Sequence, residues 1–203
     1  MSISPRHLDL LLSRLFHDLI GPASAARNGL ELVREFGGDD VGAEAMDLVA
    51  GSVDQVAARL TFFRMAFGGA GSGGGIEFLD ARPVLADYLS HRKLEPRIAI
   101  ADGLARPAPG VIKLVLGLAV VAAESLPRGG VVSVSATAEE VRIEAEGRDA
   151  ALSDKAAQAL AGTLEPEDEV LVVPATVGIT ARRFEIGYDV VSAAPPRFVV
   201  RLV

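Results

Sequence analysis

A histidine and an aspartate stand side by side at His17 and Asp18, with Gly21 and Pro22 one turn further on, inside the otherwise apolar stretch Leu15 to Ala23. An imidazole exposed on a helix is a nucleophile near neutral pH, because much of it is unprotonated there. Asp18 projects about 100° away from His17 around a helix, but its carboxylate can fold back to a ring nitrogen. Accepting a hydrogen bond from Nδ1 fixes the tautomer and leaves Nε2 basic and outward. Pro22 has no N–H, so the Asp18 carbonyl loses its helical donor. Taken alone, these residues fit an ordinary polar position on a bundle surface better than they fit a nucleophile.

Other chemistries lack their residues. The three histidines, His7, His17 and His91, are scattered, there is no cysteine, and no His-x-x-Glu-His spacing is present, so metal binding is not expected. A serine hydrolase needs a Gly-x-Ser-x-Gly elbow, which is missing. The run from Gly68 to Gly75 is not followed by Lys-Ser/Thr, as a phosphate-cradling loop requires. A net charge of -7, 5% aromatic residues and no lysine/arginine tract argue against a nucleic-acid partner. The N-terminus lacks the basic start and apolar block of a signal peptide. The most apolar stretch, Val111 to Leu126, is short and interrupted by Lys113 and Glu124. The expectation is a cytoplasmic protein with no membrane partner.

The elements around the histidine follow from periodicity. Leu8, Leu12, Leu15, Leu19, Ala23, Ala26, Leu30 and Val33 recur at three- and four-residue steps, predicting a helix from about Ser4 to Phe36. Ser4 before Pro5 suits its start, and Gly37-Gly38 suits its stop. A second helix follows Asp39-Asp40, through Val41, Ala45, Leu48, Val53, Val56, Leu60 and Phe63. Joined so closely, the two form an antiparallel hairpin whose apolar surface calls for a second copy and a four-helix bundle. The hairpin occupies 1–68, and a flexible Gly-rich linker occupies 69–75. Residues 76–203 interleave strand-like runs with helical ones, giving an α + α/β fold overall. The strand-like runs are Ile76–Leu79, Ile98–Ala101, Val131–Ala136, Val141–Ala145, Tyr188–Ser192 and Phe198–Leu202. The helical ones lie near Pro83 to Arg92, Pro109 to Leu126, Ser153 to Ala161 and Pro174 to Phe184.

On a helical wheel Leu10, Ser13, Arg14, His17, Gly21, Ser24 and Asn28 share one side, apart from the leucine stripe. Except for Leu10 that face is small or polar, and it suits close approach by another protein.

The string His17-Asp18-Leu19-Ile20-Gly21-Pro22 resembles the H-box of sensor histidine kinases. With Asn28-Gly29-Leu30-Glu31-Leu32, and with Ala122-Ala123-Glu124-Ser125-Leu126-Pro127-Arg128-Gly129-Gly130 further on, the chain resembles the alphaproteobacterial histidine phosphotransferases of the ChpT type along nearly its whole length. The resemblance implies a homodimer built on a four-helix bundle, and a second domain shaped like a kinase ATP-binding domain that binds no ATP. Departures from the kinase pattern agree with that last point. Gly117 and Val121 stand where an active kinase has asparagines, Glu124 stands where it commonly has lysine, and no Asp-x-Gly-x-Gly follows the linker. Valine offers no oxygen to Mg²⁺.

The function so implied is a phosphorelay without autophosphorylation from ATP. Receiver domains of a hybrid histidine kinase and of response regulators are the partners, and Mg²⁺ belongs to the receiver's acidic pocket, with no cofactor held by this chain. His17 is the phosphoacceptor and Asp18 orients it. Arg14, Gly21, Ser24 and Asn28 meet the receiver, with Arg14 steadying a phosphoryl oxygen or pairing with an acidic edge. The alternative is a non-catalytic dimeric scaffold derived from a kinase. A receiver phosphatase needs an amide or hydroxyl side chain where Gly21 stands.

Overall fold

The computed structural model describes residues 3–37, 40–69 and 75–202. Helix α1 runs over Pro5–Phe36, with the Ser4 hydroxyl capping it by accepting from the His7 N–H at 3.2 Å. Helix α2 (Asp40–Ala66) returns antiparallel along it. The two approach closely at Gly29, where an added Cβ would lie 2.7 Å from Val49 Cγ2. Of the predicted linker, residues 70–74 lie outside the described ones.

The second half begins with α3 (Phe78–Ser90) and β1 (Glu95–Ile100), followed by α4 (Val111–Glu124), β2 (Val131–Ala136) and β3 (Glu140–Glu146). After these come α5 (Asp154–Ala161), α6 (Val172–Phe184), β4 (Tyr188–Ala193) and β5 (Pro196–Arg201). One five-stranded sheet has the order β1-β2-β3-β5-β4. The β1–β2 pair is parallel, with α4 as its crossover, and Glu95 faces Val131 in register. The other pairs are antiparallel. Alternation along β2, β3 and β5 turns Val132, Val134, Val141, Ile143, Phe198 and Val200 inward, all buried. Helices cover that face, and α4, with twelve buried residues, is its centre. Gly117 lets α6 close on α4, since a Cβ there would meet Val177 Cγ2 at 2.6 Å.

The expected strand at Ile76–Leu79 is not formed. Phe78 and Leu79 open α3, because the Asp80 carboxylate accepts from the Glu77 N–H at 2.9 Å and so starts a helix. The other five strand-like runs are strands, each shifted by a few residues at most.

The hairpin is not an appendage. Phe62 of α2 stacks on Tyr88 of α3 with ring centroids 3.9 Å apart, and both are buried in a core that continues from Leu11 to the sheet. At the other end, His7 is buried and its Nε2 lies 2.9 Å from Thr176 Oγ1 on α6. The Thr176 hydroxyl already donates to the Val172 carbonyl, so His7 Nε2–H is the donor to Thr176.

Candidate functional site

His17 is on the solvent side of α1, its side chain 77% exposed. Gly21, Ser24 and Asn28 are exposed along the same side, as the wheel predicts. Beside the imidazole an open groove of about 710 Å³ runs between the two hairpin helices, floored by Gly21 and Pro22 from α1 and by Gly51 and Ser52 from α2. A Cβ on Gly21 or Gly51 would touch nothing.

Behind the imidazole the site is charged and held tightly. Asp18 is 16% exposed and its Oδ1 lies 3.8 Å from His17 Nδ1. That is too long for a hydrogen bond, so the expected fold-back to the ring is not made. The carboxylate is instead drawn toward two guanidinium groups, with Oδ2 3.6 Å from Arg14 Nε and 4.0 Å from Arg92 Nη1. Asp18 still supplies negative potential to the ring at that distance.

Arg14 sits elsewhere than the wheel suggests. It is 17% exposed and its Nη2 donates to Glu124 Oε1 at 2.6 Å, so the guanidinium closes the interface with the second half of the chain. Burial pushes the Glu124 carboxyl up, while Arg14 and then Arg92 pull it back. Arg92 donates to the Tyr88 hydroxyl at 2.8 Å. Burial works against its charge, but Tyr88, Glu124 and Asp18 outweigh that and hold it protonated. Tyr88 itself is pushed up by burial.

The backbone of this turn has a substitute donor. Pro22 leaves the Asp18 carbonyl without its helical partner, and Arg59 of α2 donates to that oxygen. The missing N–H was legible as a vacancy, but not the residue that fills it. Glu124 was visible only as a departure from the kinase pattern, and Arg92 gave no signal. Among the described residues no group of histidine, aspartate and glutamate is placed to hold a metal ion. No helix among them is long and apolar enough to cross a membrane.

Comparison with known proteins adds to this geometry. Residues 78–195 match the family described as the histidine phosphotransferase C-terminal domain. The protein phosphotransferase ChpT of Brucella abortus (strain 2308) is 38% identical over 126 residues, covering 62% of this chain and 58% of that relative, less than two thirds of its length. A bacterial phosphotransferase solved at 1.7 Å superposes with a TM-score of 0.80 at 28% identity, covering 99% of this chain and 98% of that one.

Proposed function

Since this chain belongs to the histidine phosphotransferase family, we propose that it relays phosphoryl groups between receiver-domain aspartates through Nε2 of His17. The observation that carries the proposal is His17 itself, which projects from a helix face of small residues onto an open groove while the turn beneath it is held by Arg59.

In the first half-reaction Nε2 attacks the phosphorus of an aspartyl phosphate in line. An N–P bond forms, the P–O bond to the aspartyl oxygen breaks, and the receiver carboxylate leaves. Nδ1 keeps its proton, so the phosphorylated ring is cationic, and Asp18 at 3.8 Å stabilises it. In the second half-reaction a carboxylate of another receiver attacks the same phosphorus and the neutral imidazole leaves. Such transfers need positioning and charge neutralisation more than new covalent chemistry. Mg²⁺ comes with the receiver. Gly21, Ser24 and Asn28 leave room for that partner, and Arg14 acts from behind, through Asp18.

The donor is a receiver and not ATP. Support for this comes from the positions where the resemblance expects asparagines in an active kinase: Gly117 packs against Val177 and Val121 is buried, so neither offers a side chain to nucleotide or metal. The protein works in the cytoplasm as a homodimer. Leu12, Phe16 and Ile20 on α1 with Val53 and Leu60 on α2 are each at least 40% exposed, an apolar face that a second hairpin covers.

Incubation with a phosphorylated receiver tests the proposal. Acid-labile, base-stable phosphate is expected on the wild-type chain and none on His17→Gln. Equal labelling of both would overturn it, and labelling of neither would favour the scaffold.

A further inference from the structure

Four charged side chains meet behind His17, and two of them come from the second half of the chain. Glu124 ends α4, and Arg92 lies just past α3. Glu124 is 17% exposed and takes Arg14 at 2.6 Å; Arg14 reaches Asp18 at 3.6 Å, and Arg92 reaches it at 4.0 Å. Two guanidinium groups thus balance two carboxylates. His17 faces Asp18 at 3.8 Å and Arg59 donates to the Asp18 carbonyl; Asp47 of α2 lines the same groove as His17 and Asp18, and Tyr88 anchors Arg92 from beneath.

Removing charges from water costs about as much as their pairing returns, so an ion cluster this enclosed is a poor stability device. It does, however, fix where Asp18 points and how much of its charge the imidazole feels. An unbalanced carboxylate 3.8 Å from Nδ1 would favour the protonated ring, which cannot attack phosphorus, and would repel an approaching phosphoryl group. A fully neutralised carboxylate would give the phosphorylated, cationic ring no support.

We propose that Glu124 and Arg92 are positioning residues for His17: by holding Asp18 and Arg14, the C-terminal half sets the state of a histidine it does not touch. This rests on His17 being the phosphoacceptor. The C-terminal half thereby has a task in the relay. It also makes the hairpin and the second half one chemical unit, since either one alone lacks half of the cluster.

The two residues act on Asp18 with opposite sign, which makes the proposal sharp. Loss of Arg92 leaves Asp18 less balanced, whereas loss of the Glu124 charge frees Arg14 to move onto Asp18. The test follows the histidine ring signals of the full-length protein by NMR across pH, with His17→Gln identifying the His17 resonance. In Arg92→Met the His17 midpoint is expected to rise by roughly half a pH unit, and in Glu124→Gln to fall by a similar amount. Arg92→Lys, which keeps the charge, should restore most of the wild-type midpoint and guards against simple misfolding. In an Asp18→Asn background neither substitution should move it. The rate of phosphoryl transfer from a receiver should fall roughly threefold in both single variants, about 0.7 kcal/mol in barrier, the equivalent of the half-unit shift.

Midpoints within roughly 0.1 unit of wild type in folded Arg92→Met and Glu124→Gln would overturn the proposal and leave the cluster a structural clamp. Shifts of equal sign would overturn it too. The NMR readout needs no phosphate. If the midpoints move as stated while His17 accepts no phosphoryl group, the relay fails and the positioning stands; if phosphate is accepted and the midpoints stay, the reverse holds.

Discussion

Gly21 and Gly29 lie on the same helix, yet a methyl group added to each meets a different reception. At Gly29 it runs into Val49 Cγ2 at 2.7 Å and the Ala45 carbonyl at 3.2 Å; at Gly21 it meets nothing. Gly29→Ala is therefore expected to destabilise by about 1–3 kcal/mol through overpacking, and Gly21→Ala to stabilise by about 0.5–1 kcal/mol, the usual gain of alanine inside a helix. Denaturant unfolding checks both. The fold does not need the glycine at position 21, and in the proposed relay its role is to keep the groove open: Gly21→Phe should keep the protein folded and cut transfer from a receiver by at least about tenfold, near 1.4 kcal/mol. Pro22 and Arg59 form a second residue-scale pair. Arg59→Met strands the Asp18 carbonyl and should cost about 1–3 kcal/mol. In a Pro22→Ala background the helix supplies its own donor, so the cost of losing Arg59 should shrink, and a double-mutant cycle measures that coupling. Additive effects would show that Arg59 does not replace the missing N–H.

At the scale of elements, the hairpin leaves an apolar face uncovered along both helices, with Ile20 63% and Val53 53% exposed. Val53→Asp should convert a dimer into monomers in light scattering; a wild-type chain that is already monomeric at micromolar concentration would refute the bundle. Much of the element pattern was legible in advance. The leucine steps of α1 and the Ser4-Pro5 start correspond to a helix over Pro5–Phe36 capped by Ser4, and the alternation around Val132 and Val134 corresponds to β2. Ile76–Leu79 misled because four residues alternate too briefly to separate a strand from a helix start, and there the reciprocal Glu77 and Asp80 contacts decide. The helical run near Pro109 to Leu126 corresponds to α4, which is apolar nearly all round because sheet and α6 enclose it.

At the scale of the molecule, the site is a junction between halves, and that is why only part of it could be read. His17, Asp18, Gly21 and Pro22 are local in sequence. Arg59, Arg92 and Glu124 join them only through tertiary packing, as Phe62 on Tyr88 brings α2 and α3 together. The His7–Thr176 contact is a second junction, and it gives a pH signature. Burial lowers the His7 pKa below its ordinary 6.5, with Glu165 partly opposing. The unfolded chain then takes up this proton more readily than the folded one. The contribution of His7 is fully present above pH 6.5 and is lost as pH falls below it toward the lower folded-state value. Unfolding measured from about pH 8 to 5 should show the wild type losing stability relative to His7→Gln over the acid half; parallel curves would contradict a buried neutral His7.

The central claim is that His17 carries phosphate from one aspartate to another. The direct measurement mixes three proteins, a receiver labelled on its aspartate, an unlabelled second receiver and this chain, and follows the label with Mg²⁺ present and ATP absent. The account predicts transient acid-labile label on this chain and its appearance on the second receiver, both abolished in His17→Gln. Label reaching the second receiver equally well with His17→Gln would contradict it.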